Sequence, residues 1–475
     1  MKASQITFTS LLLFYTVACT NNNHTEPAND VAMTNSLPAS NPSATDTFPI
    51  GKVISSVTCK SNPAQSYTLY IPSKGNKEEL PVVYFFDPHA NGTIPVSKYK
   101  NLADRYGCIL IGSNNSKNGD EWSTTENIWH ILTDDSQKRL KINTNRIYTC
   151  GFSGGAKVAS YLGLNHNEVR GVIAIGAGLP EVTLAGNFHF SMTAIAGDGD
   201  MNMTDLVSIN NELDKTQTRH RIIFFDGKHE WAPENTMNIA FAGLQFDAMI
   251  DKLIPSNDAF INNYVGNSKK RITDYSTSNN YIKAETECKL SISLLDGLTS
   301  DASWFTEKEA SIINNPVYQR QLKSRQNILA TEQHLKELYT QQFQQGDMNF
   351  WNKTIIDLQT KAKIQSAEGD MYQRLLAYLS LAFYSISNQL ISGNQNMQAQ
   401  YYVDLYKKVD DTNSEAWYFS AMLNARNRNA DAARDDLLKA VALGFTDKNR
   451  LHQQAEFQNP PIDLTEIESK MKTVE

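Results

Sequence analysis

Lysine and arginine never gather into a block in this chain, and acidic residues outnumber them, 51 to 44, for a net charge of −7. A surface that tracks phosphates needs clustered cations, so no nucleic-acid partner is expected. There is no P-loop and no dinucleotide glycine fingerprint, which removes the common nucleotide sites. The 5 cysteines and 9 histidines form no closely spaced ligand set, so a zinc site is not expected either. Little of the chain before Phe48 is apolar beyond one short run near its start.

What remains is ordinary globular material, 41% hydrophobic and 20% charged, in a chain of 475 residues, long enough for two or three domains. Met1-Lys2 precedes an apolar run around Leu11-Leu12-Leu13-Phe14-Tyr15. That run is too short to cross a bilayer and reads as an export signal. Residues 20–47 are Asn, Thr, Ser, Ala and Pro with hardly an apolar side chain, a composition that cannot bury a core and suits a flexible tether.

The most informative segment is Gly151-Phe152-Ser153-Gly154-Gly155. It follows the apolar run Arg146-Ile147-Tyr148-Thr149-Cys150 and precedes the helix-like Ala156-Lys157-Val158-Ala159-Ser160-Tyr161-Leu162. This is strand, sharp turn and helix with a serine at the apex. Glycines at the flanks let strand and helix approach closely, and the strained turn lifts the hydroxyl out of the sheet. Ser153 is therefore the candidate nucleophile; the competing reading is a serine in a tight structural turn.

Strand-like runs fall near 53–58, 66–71, 81–86, 108–112, 146–150, 171–176, 192–196 and 221–225. Helix-like stretches near 96–106, 121–140, 156–164, 204–215 and 235–253 separate most of them. Alternation of this kind predicts a mostly parallel sheet covered on both faces, with the first two strands as an antiparallel edge. The seventh run ends in Gly197-Asp198-Gly199-Asp200, and the eighth in Asp226-Gly227-Lys228-His229. An acid and a histidine beyond strand ends lie where a parallel sheet places its ligands. Asp200 is the preferred acid, Asp198 the alternative, and His229 the base. Each of these also has a plainer reading, as turn residues and a surface loop histidine.

The serine after the fifth strand, the acid after the seventh and the histidine after the eighth resemble the α/β-hydrolase fold over roughly residues 48–254. The segment Gly227-Lys228-His229-Glu230-Trp231-Ala232-Pro233 is similar to the histidine loop of esterases of the polyhydroxybutyrate-depolymerase and feruloyl-esterase kind. The resemblance implies a Ser153, His229 and Asp200 triad and an oxyanion hole, with no metal or organic cofactor. One donor should be the amide of Gly154. The family's usual His-Gly after the third strand is replaced here by Asp87-Pro88. Proline has no N–H, so the second donor is expected from His89 or Ala90. Trp122 and Trp231 read equally as core aromatics or substrate walls.

The leader resembles a bacterial lipoprotein signal, cleaved before Cys19 with lipid added there. Thr16 departs from the usual leucine three positions before the cysteine, which leaves ordinary signal cleavage open. The expected organisation is a signal at 1–19, a tether at 20–47, a hydrolase domain at 48–254 and an α-helical domain at 255–475. Of the other cysteines, Cys108 and Cys150 read as core thiols, Cys59 and Cys288 have no evident partner, and no disulfide framework is predicted.

Beyond 255, strand-like alternation gives way to helical patterns, as at 318–344 and 371–390. Residues 414–423 and 430–443, with small alanines at their crossing, resemble one tetratricopeptide repeat within 398–445. Such a repeat needs stacked neighbours. It serves either as a partner-binding groove or as a bundle that packs on the hydrolase.

Between the sixth and seventh strands only 179–190 intervene, too few for a helical lid. An open site suits a bulky or polymeric ester. The expected function is a lipid-anchored serine esterase of the bacterial cell envelope, periplasmic or on the surface. The alternative is a weak or inactive hydrolase-fold lipoprotein that binds partners through its helices.

Overall fold

A computed structural model describes residues 47–75, 78–180, 187–343, 345, 347–458 and 462–471. The expected signal, Cys19 and all of the tether except residue 47 lie outside the described residues, as does 181–186 of the short segment after the sixth strand.

Eight strands form one sheet: β1 (Val53–Thr58), β2 (Ser66–Tyr70), β3 (Leu80–Phe86), β4 (Ile109–Ser113), β5 (Ile142–Phe152), β6 (Val169–Ile175), β7 (Ser191–Gly197) and β8 (His220–Phe225). Their spatial order is β1-β2-β4-β3-β5-β6-β7-β8. The β1–β2 and β2–β4 pairs are antiparallel and all others parallel. The helices between them are α1 (Thr93–Tyr106), α2 (Trp122–Arg139), α3 (Gly154–Asn165) and α4 (Met203–Leu213), and α5 (Glu234–Ile250) follows β8. This is the α/β-hydrolase arrangement, as expected from the sequence. The fifth strand is longer than its apolar run. It begins at Ile142, which pairs with Leu80 before an irregularity in the register.

Period-two alternation explains the two-sided core. On β3, Val83 and Phe85 face one side with Val96, Tyr99 and Leu102 of α1 and Phe241 and Leu244 of α5. Val82, Tyr84 and Phe86 face the other, with Trp129 and Leu132 of α2 and Ala156, Ala159 and Leu162 of α3. A strand buried on both faces must be apolar throughout, which is why β3 reads as an unbroken hydrophobic run. Cys59, Cys108, Cys150 and Cys288 are all buried free thiols. Burial raises Cys59 to about 11 and Cys108 to about 12.

The chain divides into two compact units, one reaching to Lys323 and the other comprising Ser324–Glu475, with the tripeptide Gly199–Met201 grouped in the latter. The expected boundary at 254/255 therefore falls inside the first unit. Three helices, Asp258–Thr277, Tyr281–Leu295 and Ala302–Ile313, continue it. Their Ile261, Tyr264, Cys288, Leu294 and Phe305 share the core cluster of α1 and α5. Polar ties reinforce this: the Ser293 hydroxyl donates to the His220 carbonyl at 2.7 Å, at the start of β8. Burying Asp247 beside Arg221 further welds α5 to β8.

The second unit is helical. Ser414–Arg426 and Ala430–Ala442 pack against each other, with Ala416, Ala421 and Ala433 fully buried. Ala367–Ser392 is long and apolar enough to cross a membrane by length and composition. On one face of it Phe383 packs on Trp351 at 5.3 Å, and buried Arg374 donates to Glu332 at 2.7 Å.

Candidate active site

The elbow is built by close approach of backbones. An added Cβ on Gly151 would stand 2.0 Å from the Gly155 carbonyl oxygen, and one on Gly155 1.9 Å from that of Phe86. Neither position accepts a side chain unless the backbone moves. Those are the two outer glycines of the motif, and they pull α3 onto the ends of β3 and β5. Ser153 between them is held at φ 54, ψ −121, a conformation that residues with a side chain rarely adopt. Its N–H donates to Ile175 at 2.8 Å, which fixes the turn to β6. One turn further along α3, burial lowers the pKa of Lys157, against the opposing pull of Asp205.

His229 stands at the turn beyond β8, with its Nε2 2.9 Å from Ser153 Oγ. That distance suits proton transfer between a hydroxyl and a neutral imidazole. The ring also packs on Phe152 at 4.7 Å. Both Ser153 and His229 are half-buried.

The end of β7 lies against the histidine loop. A Cβ on Gly197 would meet the Gly227 and Lys228 carbonyl oxygens at 2.6 Å each, and Asp198 N–H continues the ladder to Phe225 at 2.9 Å. Asp198, next in the chain, is half-buried, and Asp200 is 1% exposed.

The loop after β3 is organised by Asp87, which is 3% exposed. One carboxylate oxygen accepts the His89 N–H at 2.9 Å, and the other accepts the Trp231 indole N–H at 2.9 Å. Ala90, at φ 59, donates its N–H to the Asp87 carbonyl at 3.2 Å. The amides expected from His89 and Ala90 are thus both engaged within their own loop. The Gly154 N–H, by contrast, has no hydrogen-bond acceptor among the described residues.

Three residues of this site are not evident from motif reading. Asp87 is the carboxylate that joins the β3 loop to the histidine loop. Trp231 is 7% exposed, against Phe85, Tyr99 and Phe152, so it serves the core beneath the site. Asn118, in the loop after β4, lies beside Gly154. Trp122 stacks on Tyr161 with centroids 4.2 Å apart.

No protein-family model matches the chain. No curated protein matches its sequence. Among solved structures it is similar to a hyperthermophilic esterase from the archaeon Pyrobaculum calidifontis, at 12% identity and a TM-score of 0.35, over 43% of this chain and 87% of that one. It is similar to an S-formylglutathione hydrolase from Staphylococcus aureus, at 12% identity and a TM-score of 0.31, over 38% and 92%. It is also similar to a ferulic acid esterase, at 15% identity and a TM-score of 0.33, over 42% and 98%.

Proposed function

We propose that this protein is a serine hydrolase that cleaves carboxylic esters. The observation that carries the reading is the 2.9 Å pairing of His229 Nε2 with Ser153 Oγ at a strained strand–helix turn. Ser153 attacks the acyl carbon while His229 takes the hydroxyl proton. The imidazolium then returns that proton to the leaving alkoxide, and water releases the acyl group by the same route. Asp200 holds the imidazole; Asp198 is the alternative. The acid's place in the chain, in the turn leading from the end of β7 beside the histidine loop, supports the assignment.

The segment 179–190 between the sixth and seventh strands is too short for a helical lid, which supports a bulky or polymeric ester as substrate. The apolar run at Leu11–Phe14 and the small residues before Cys19 support a lipid-anchored position in the cell envelope. The helices near 398–445 would then present a face to a protein partner. Cys19→Ser should release the full-length chain from the membrane fraction with unchanged specific activity; a variant that still pellets overturns the anchor.

A second reading, a catalytically weak hydrolase fold, is favoured by one observation: the His89 and Ala90 amides are both engaged with Asp87. A fluorophosphonate probe decides between the two. Covalent labelling of Ser153, lost in Ser153→Ala while the thermal melt is unchanged, is the result expected of the esterase. An unlabelled, well-folded wild-type chain would establish the weaker reading.

A further inference from the structure

An oxyanion hole needs two donors aimed at one point, and this site has one evident donor, the Gly154 amide. The loop after β3 does not supply the other, because its two candidate amides already serve Asp87. The loop after β4 reaches the same place. His89 and Lys117 form an antiparallel bridge, and Asn118 N–H donates to the Pro88 carbonyl at 2.9 Å. These contacts clip Asn118 to the β3 loop. Its carboxamide then lies on the first residue of α3: a Cβ built on Gly154 would stand 1.7 Å from Asn118 Oδ1 and 3.3 Å from Nδ2. The carboxamide is exposed and has no hydrogen-bond partner among the described residues. Its terminal torsion is broad and close to two-fold, so exchanging oxygen and nitrogen costs little.

We propose that Asn118 is a catalytic residue whose side-chain N–H completes the oxyanion hole with the Gly154 amide. This rests on the esterase reading. As the Ser153 Oγ–carbon bond forms and its proton passes to His229, the carbonyl π pair moves onto oxygen. Asn118 Nδ2 and Gly154 N donate to that oxygen until the pair returns and the alkoxide departs with the His229 proton. A carboxamide in place of a backbone amide explains how the chain dispenses with the His-Gly loop. It also explains why the residue after the nucleophile is glycine here: any side chain would displace the donor.

The test is steady-state hydrolysis of p-nitrophenyl acetate by the full chain, with thermal melts as the folding control. Asn118→Ala should lower kcat by about 10²- to 10³-fold with KM nearly unchanged and no change in the pH profile, as for loss of one oxyanion donor. Asn118→Asp, similar in shape but negative, should be worse than Ala. Gly154→Ala should fold, because the clash is with the end of a mobile side chain, and should lose about as much kcat as Asn118→Ala. The double variant should be no worse than either single one, since both remove the same contact. A wild-type kcat retained within about threefold in Asn118→Ala overturns the inference and leaves the esterase reading intact. So does a double variant in which the two losses multiply. A wild-type chain inert to both ester and fluorophosphonate overturns both.

Discussion

The turn at Ser153 and the loop after β3 solve neighbouring problems in opposite ways. At Gly151–Gly155, backbone meets backbone at distances no side chain tolerates, so the residue types are dictated by space. At Asp87–Ala90, side chains do the positioning: one buried carboxylate gathers an amide and an indole N–H. The first arrangement permits almost no variation, and its motif is recognisable in a bare sequence. The second depends on which polar groups happen to converge, and equivalent geometry can come from different residues. A strand–turn–helix motif can therefore stay intact while the neighbouring loop is free to vary.

The sharpest way to break this contrast is Gly155→Ala. The new methyl would meet the Phe86 carbonyl, which cannot swing aside, so the turn must open or β3 must shift. The expected loss is about 3 kcal/mol or more of stability together with fluorophosphonate labelling. A thermal melt and a labelling gel check it. Should Gly155→Ala stay as stable and reactive as wild type, the elbow is not set by backbone contact.

Asp200→Asn tests the chemistry rather than the packing. An asparagine keeps the shape but cannot stabilise the imidazolium, and kcat should fall by about 10⁴-fold. Asp198→Asn should do much less. If the order of the two is reversed in ester turnover, Asp198 is the acid.

The same distinction governs what was legible in the sequence. The eight strands and the helices α1 to α5 follow from period and punctuation, and each strand overlaps its apolar run, with β5 extending beyond it at both ends. Ser153 and His229, 76 residues apart, meet because strand order and turn position leave little alternative. Asp87, Trp231 and Asn118 were not legible as a unit: their partners lie on other loops, and no local spacing marks such convergence. The extent of the first unit is hidden in the sequence for another reason. After Leu253 the composition turns polar, which hides single buried stripes such as Ile261, Val265 and Ile272. Those stripes complete the face covered by α1 and α5.

Asp87→Ala should sharpen the second half of the comparison. It leaves the Trp231 indole N–H buried without an acceptor and frees the His89 amide. An unsatisfied buried donor costs about 1–3 kcal/mol, and the loop loses its anchor, so kcat should fall by about tenfold as well. Unchanged stability would show that the carboxylate is not the loop's organiser.

Trp231→Phe makes the smallest change and separates packing from polarity. The ring contacts with Phe85, Tyr99 and Phe152, at 6.2, 6.1 and 5.6 Å, are largely kept by a smaller aromatic. What disappears is the indole donor to Asp87, whose other oxygen still receives the His89 amide. The net contribution of one such hydrogen bond is about 0.5–1.5 kcal/mol, and that is the expected loss on denaturant unfolding. Turnover should stay within about threefold of wild type, because the His89 contact that shapes the loop survives and the effect stays in stability. Combining Trp231→Phe with Asp87→Ala should cost less than the sum of the two, since both remove one shared bond. Strict additivity would mean that Trp231 supports the site through its ring alone, and that the β3 loop and the histidine loop are held together by packing.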